Sequence, residues 1–146
     1  MTGFLLDTNI LSELQRARPS SSVVAFMQQA PLASLFLSDV VVAEMRFGIE
    51  TMADVLRRDR YRAWLDTVIR PMFVGRVLAL NEDVFLRWRM MKEVGQRGRH
   101  TFPEPDLLIA ATAAHYGLTV VTRDIEPFER AGVAVINPWR AASSRP

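Results

Sequence analysis

At 146 residues the chain has the length of a single domain, and 49% apolar residues are enough to fill one continuous core. It has no cysteine, which excludes disulfide scaffolds, thiolate zinc sites and cysteine nucleophiles. The formal charge is only +2, but Lys92 is the single lysine among 18 cationic residues, so the basic surface is one of arginine, whose planar fork matches phosphate.

With only His100 and His115 as nitrogen donors, any bound metal is expected on oxygen, which favours Mg2+ or Mn2+ over Zn2+. No apolar run approaches the roughly 18 residues of a membrane helix, and Phe4-Leu5-Leu6 is too short for a signal-peptide core. A soluble protein that stays in the cytoplasm is expected.

The first apolar run, Phe4 to Leu6, reads as a buried strand and leads directly into Asp7-Thr8-Asn9. Ligands of open parallel sheets bind beyond the carboxyl ends of strands, so Asp7 stands where chemistry usually occurs. Asp, Thr and Asn are equally suited to capping a helix ahead of Ile10. Helical patterns follow at Ile10 to Arg16 and Ser22 to Gln29, the latter closed by Pro31.

A second strand, Leu35 to Leu37, precedes a helix over Val40 to Met52. Glu44 stands at helical spacing from Val40, Val41, Phe47 and Gly48, which predicts a carboxylate on the apolar stripe. Such a charge needs an arginine partner or a bound cation, because burial alone would neutralise it. The next helix, Val55 to Ile69, ends before Pro71 and carries Arg57-Arg58-Asp59-Arg60, a solvated face laced with ion pairs such as Asp54 with Arg58 or a track for a phosphate backbone.

After a third strand, Val77 to Ala79, Asn81 is placed to cap a helix over Val84 to Val94. The basic segment Gln96 to His100 reads as a mobile solvated loop, with His100 able to touch phosphate. Asp106 opens a helix over Leu107 to Tyr116, either as a plain N-cap or as a cap directed into a cleft. Gly117 suits the C-cap of that helix, and His115 suits its negative end. A fourth strand, Thr119 to Thr122, ends at Arg123-Asp124, placing either a turn residue or a second strand-end carboxylate. The last strand, Val133 to Ile136, precedes Asn137-Pro138-Trp139 and a tail, 141–146, expected to be flexible.

Strands alternating with helices imply an α/β fold with a parallel sheet covered on both faces, since parallel strands need crossover connections. In that architecture Asp7, Glu44, Asp106 and Asp124 converge, each at a strand end or in the helix that follows. Four crowded carboxylates repel one another, and bound cations relieve the repulsion. Setting these four aside leaves 12 acidic residues against 18 basic ones, a surface that attracts nucleic acid around an acidic hole.

The ordered set Leu6-Asp7-Thr8-Asn9, Ser38, Glu44, Asp106 to Ala113, Thr122-Arg123-Asp124 and Asn137-Pro138-Trp139 resembles the PIN domains of VapC toxins, most nearly their FitB-like branch. The resemblance spans nearly the whole chain. It implies a three-layer α/β/α sandwich over residues 1–140, with a central parallel sheet of about five strands.

It also implies the toxin of a type II toxin–antitoxin system, an Mg2+- or Mn2+-dependent endoribonuclease that leaves a 5′-phosphate and a 3′-hydroxyl. Asp7, Glu44, Asp106 and Asp124 would be metal ligands, directly or through water, supported by Thr8, Asn9 and Thr122. A further acidic residue found beside the third ligand in some members has its nearest counterpart in Glu104, separated by Pro105, and position 124 is often Asn. The resemblance implies a homodimer and an antitoxin that binds operator DNA. Its extended segment would cross the cleft along a groove formed near Ile10 to Arg18 and Val40 to Met52.

Haloacid-dehalogenase phosphatases need a second aspartate where Asn9 stands, and receiver domains need a late lysine that Lys92 does not supply. A DNA-directed or flap nuclease would share the metal chemistry, although the chain lacks a long insertion for gripping duplex DNA. A non-catalytic module that binds RNA or an antitoxin would not need all four acids.

Overall fold

A computed structural model describes residues 3–99, 102 and 104–140. The expectations for His100 and for the 141–146 tail lie outside them. Five strands form one parallel sheet: β1 (Phe4–Leu6), β2 (Leu35–Ser38), β3 (Val77–Leu78), β4 (Thr119–Val121) and β5 (Val135–Ile136), in the order β3-β2-β1-β4-β5. The chain builds outward from β1 to β3, then crosses back and builds outward the other way through β4 and β5. Right-handed crossovers in opposite directions put the helices of the two halves on opposite faces, with the topological switch between β1 and β4.

The first half carries α1 (Thr8–Leu14), α2 (Ser21–Gln29), α3 (Asp39–Glu50), α4 (Val55–Trp64) and the short α5 (Arg70–Met72). The second carries α6 (Glu82–Arg97), α7 (Asp106–Tyr116) and α8 (Glu126–Arg130). The core joins Leu5, Leu6, Leu37, Val120 and Val121 of the sheet to Ile10, Val41, Ile69, Phe73, Ile109 and Phe128. Residues Leu107 and Ile109 to Ala113 of α7 are all buried, as a helix apolar on every side must be. Gly117 ends it in the left-handed conformation at φ 66°, which a Cβ would strain. Among the described residues no helix is long and apolar enough to cross a membrane.

Several boundaries differ from the sequence-based expectation. The helix expected to stop before Pro71 continues through a π-turn at Leu65–Ile69 into α5. There the Arg70 N–H reaches back to the Leu65 carbonyl. The wider turn accommodates a proline that has no N–H and whose ring would press on the preceding turn of an α-helix. Helix α6 runs to Arg97, so Gln96 and Arg97 of the expected basic loop are helical. The five-residue α8, with Pro127 in its first turn, is too short for a periodic signal.

Asp54 does not pair with Arg58; it caps α4 by accepting from the Arg57 N–H at 3.1 Å. The ion pairs of α4 are instead Arg62 with Glu50 on α3 at 2.6 Å and with Asp59 at 3.5 Å. These are exposed contacts worth about 0–1 kcal/mol each, whereas burying Leu65 or Ile69 contributes about 1.5–3 kcal/mol. Packing therefore holds this arm. Phe73, fully buried just after α5, anchors its end, and Phe73→Ala is expected to cost about 3–5 kcal/mol in urea unfolding.

Candidate acidic active site

Asp7 leaves β1 at the switch point, where its backbone N–H donates to the Val121 carbonyl at 3.0 Å and carries the β1/β4 ladder one residue further. It is also the N-cap of α1, with Oδ1 accepting from the Thr8 N–H at 2.8 Å. Capping uses one carboxylate oxygen; the other accepts from the Thr122 hydroxyl at 2.8 Å. Asp7 is thus both a helix cap and a buried carboxylate facing β4. Burial raises its pKa, the Thr122 and Thr8 hydrogen bonds pull it back, and the charge of Asp124 pushes it up again.

The hydroxyl of Thr122 also accepts from Asn9 Nδ2 at 3.1 Å and from the Asp124 N–H at 3.2 Å. One proton and two lone pairs are all that a hydroxyl has, and all three are used. Asn9 Oδ1 then accepts from the Arg123 N–H at 3.3 Å, so Thr8, Asn9 and Thr122 form one brace around Asp7. On the far side, Asn137 Nδ2 donates to the Arg123 carbonyl at 3.2 Å, and the Arg123 guanidinium lies 5.1 Å from the centre of the Trp139 ring. The Asn-Pro-Trp segment therefore holds the turn that carries Asp124, a role that its position in the sequence did not disclose.

Asp106 is the first helical residue of α7 and not its cap; Pro105 occupies the cap position, and no side-chain capping bond is made. The Asp106 carboxyl is half-buried and its pKa rises to about 6. Burial is the largest cause, followed by the charges of Asp7, Asp124, Glu44 and Glu104. Asp106 therefore lies within the field of every other candidate acid. Glu104 also accepts from Trp88 Nε1 at 3.3 Å.

Glu44 does not lie on the apolar stripe of α3. The buried stripe is Val40, Val41, Val42, Met45 and Ile49, whereas Glu44, Phe47 and Gly48 are exposed and Phe47 keeps 68% of its surface. The helix is rotated from the expected phase because Val42 and Met45, not Phe47, face the sheet. Glu44 instead stands on the rim of a cavity that it shares with Thr8, Met45, Gly48, Tyr61 and Trp64. Asp124 is likewise exposed.

Glu13, which the sequence did not single out, is buried on α1. The Ser20 N–H, donating at 2.7 Å, and then the Arg16 guanidinium at 3.3 Å hold its carboxyl below the usual range. It ties α1 to the start of α2. His115 contacts the Tyr116 ring near the end of α7, away from the acids.

Two buried or half-buried carboxyls and two exposed ones thus share one edge of the sheet, all with hard oxygen donors. Among the described residues no three of them are preassembled around a single ion position. The arrangement fits a hydrated Mg2+ or Mn2+, which binds through one or two carboxylates and retains several waters. A thiolate- or imidazole-seeking metal has no suitable donors here.

The PIN domain family matches residues 4–134. The chain is 37% identical over 138 residues to VapC ribonuclease Y4jK of Sinorhizobium fredii, covering 94% of this chain and 99% of that protein. It is 36% identical over 135 residues to Toxin FitB of Neisseria gonorrhoeae, covering 92% and 97%. In the solved structure of FitAcB from Neisseria gonorrhoeae, a chain 36% identical superposes with a TM-score of 0.88, covering 93% of this chain and 98% of that one. FitAB bound to an IR36 DNA fragment gives 35% identity and a TM-score of 0.86, covering 93% and 95%.

Two predictions follow from the geometry. Thr122→Val removes a hydroxyl that completes three hydrogen bonds, and a loss of about 1–3 kcal/mol in urea unfolding is expected; a change within about 0.5 kcal/mol would refute the brace. A carboxyl whose pKa is raised on folding contributes stability that is complete below its unfolded value, near 3.8, and is lost as pH rises through about 6. Metal-free Asp106→Asn protein should therefore melt above the wild type at pH 7.5, by about 2–4 °C per kcal/mol of relieved repulsion, and the gap should close near pH 4.

Proposed function

This chain belongs to the PIN-domain family, beside the VapC ribonucleases and the FitB toxin, and from that premise we propose that it is the toxin of a toxin–antitoxin pair, a divalent-cation-dependent endoribonuclease acting in the cytoplasm. The observation that carries this reading is the gathering of Asp7, Asp124, Glu44 and Glu104 about the half-buried Asp106, whose pKa is raised by burial first and then by their charges. A fold gains nothing from assembling such repulsion unless a cation relieves it.

Asp7, Asp106, Glu44 and Asp124 would hold Mg2+ or Mn2+. Bound there, the cation supplies an acidified water and charge stabilisation for hydrolysis of an RNA phosphodiester. Asp7 is the rigid member, because Thr8 and Thr122 fix both of its oxygens. Asp106 is the responsive one, since its proton leaves near pH 6 and cation binding favours the charged form. Exposed Glu44 and Asp124 are free to close on a bound cation and its water shell. No histidine is needed as a base, and the arginine-rich surface supplies the attraction for the RNA backbone.

The antitoxin is the expected protein partner, and operator DNA would be bound through it. The 35% identical chain superposed above comes from a structure of FitAB bound to an IR36 DNA fragment, which supports this assignment. The cavity that joins Thr8 and Glu44 to Met52, Tyr61 and Trp64, with Phe47 exposed beside Gly48, suits an apolar antitoxin segment reaching toward the acids.

The test is a mixed single-stranded RNA pool incubated with purified protein under Mg2+, Mn2+ or EDTA, beside the Asp7→Asn variant. Metal-dependent cuts with 5′-phosphate ends, lost by a factor of at least ~100 in the variant, are expected. Cleavage that persists in EDTA or in Asp7→Asn would overturn the assignment. Preferential cutting of DNA would point to a flap-type nuclease, and metal-independent RNA binding without turnover to a non-catalytic module.

A further inference from the structure

Helix α3 carries opposite chemistry on its two flanks. Glu44 stands on the flank that shares a cavity with Thr8 and Trp64, whereas Arg46 lines a second cavity, of about 250 Å³, on the other. The floor of this second cavity is buried Ile49 and Leu65. Its walls are Arg46, Arg62, Arg70, Glu50 and Asp66, so three guanidinium groups against two carboxylates leave it net positive. At 100° per residue, Phe47 falls between the two flanks on the outer side of α3, where it is exposed.

The ion pairs of this cavity use only part of its arginines. Both oxygens of Glu50 accept from Arg62 Nη2, at 2.9 and 2.6 Å. Arg70 gives its Nε to Asp66 at 3.1 Å and keeps both Nη groups without an acceptor among the described residues. Arg46 has no hydrogen bond or ion pair among them. A surface that only needed its charges neutralised would pair Arg46 with Glu50, one turn further along α3, yet Glu50 is taken by Arg62. Leu65 and Asp66 also begin the π-turn, a widening of the helix that recurs at functional sites.

We propose that this cavity is a second phosphate site for the RNA strand, in which Arg46 and Arg70 grip a backbone phosphate outside the cutting site while Phe47 stacks on a base between the two. The free fork of Arg46 and the paired Nη groups of Arg70 match two phosphate oxygens each. Glu50 and Asp66 do not compete for the anion, because Arg62 and Arg70 already engage them. The apolar floor strengthens the attraction by excluding water on one side. A cation held at Glu44, an aromatic ring and an arginine pocket follow one another across a helix about 10–12 Å wide, the same alternation as phosphate, base and phosphate on a single strand. Aromatic stacking of splayed bases is the usual mode for single-stranded RNA. The inference deepens the nuclease reading and rests on it.

The test is fluorescence anisotropy of a labelled single-stranded RNA of mixed sequence, titrated with the full-length chain carrying Asp7→Asn to stop cutting, at several salt concentrations in Mg2+. Arg46→Gln, a change at an unpaired side chain that should leave the circular-dichroism melt unmoved, is expected to weaken binding roughly tenfold and to lower the salt slope by about 0.7. Arg46→Lys keeps the charge without the fork and should restore only part of the affinity. Phe47→Ala should cost roughly fivefold or more. Arg89→Gln, which removes the same charge from α6, should change binding less than about twofold. Arg46→Gln as harmless as Arg89→Gln, an equal loss in both, or a parent that binds no RNA would each overturn the proposal. So would inorganic phosphate binding that Arg46→Gln abolishes while RNA affinity stays intact, which marks a small-anion site, or loss of a co-expressed antitoxin with RNA affinity unchanged. A chain without Asp7→Asn that never cuts RNA, beside an Arg46→Gln loss, would remove the nuclease and keep the cavity; cutting with affinity indifferent to Arg46 would do the reverse.

Discussion

The hydrogen bond from Thr122 to Asp7 is the contact on which the site is built. It joins residues 115 positions apart, one at the carboxyl end of β1 and the other at that of β4. These neighbouring strands send their connections in opposite directions, which opens a crevice between them. A carboxylate buried in such a crevice costs several kcal/mol unless it is hydrogen-bonded or paired with a cation. Thr8 and Thr122 meet part of that cost, and the residual upward pull on Asp7 is what remains for a ligand to relieve.

Around that fixed point the other acids are graded by burial. Asp106 is half-buried and strongly perturbed, whereas the Glu44 and Asp124 side chains are exposed. A rigid buried donor sets the position of an ion, and exposed donors can exchange between it and its water shell. Of the four acids Glu44 alone, with Thr8 beside Asp7, also lines an apolar cavity between α1, α3 and α4.

Arginines show how little a count of charges says about their roles. Arg76 donates to the carbonyls of Leu32, Leu35 and Met72 and lies over the Phe73 ring, closing the edge where β2 meets β3. Arg62 ties α4 to Glu50, and Arg123 is stacked on Trp139. Each is engaged in holding the protein together.

The alternation of apolar runs with helical periods was enough to determine the α/β class, the parallel sheet and its five strands, because burial on both faces leaves a continuous apolar signature in short strands. The strand-end placement of Asp7 and Asp124 and the start of α7 at Asp106 were legible for the same reason: local pattern marks where elements begin and end. Which face of α3 is buried was not legible. Val40, Val41, Val42, Met45, Phe47 and Ile49 offer more than one apolar stripe, and only the sheet beneath the helix selects among them. The π-turn before Pro71, the capping role of Asp54, the brace through Thr122 and the clasp of Asn137 and Trp139 were hidden likewise. Each depends on which partner a polar group reaches when several are in range. Sequence determines periodicity, a property of neighbours along the chain; tertiary structure alone decides pairing between residues as far apart as 7 and 122, where hydrogen-bond geometry and desolvation choose the partner.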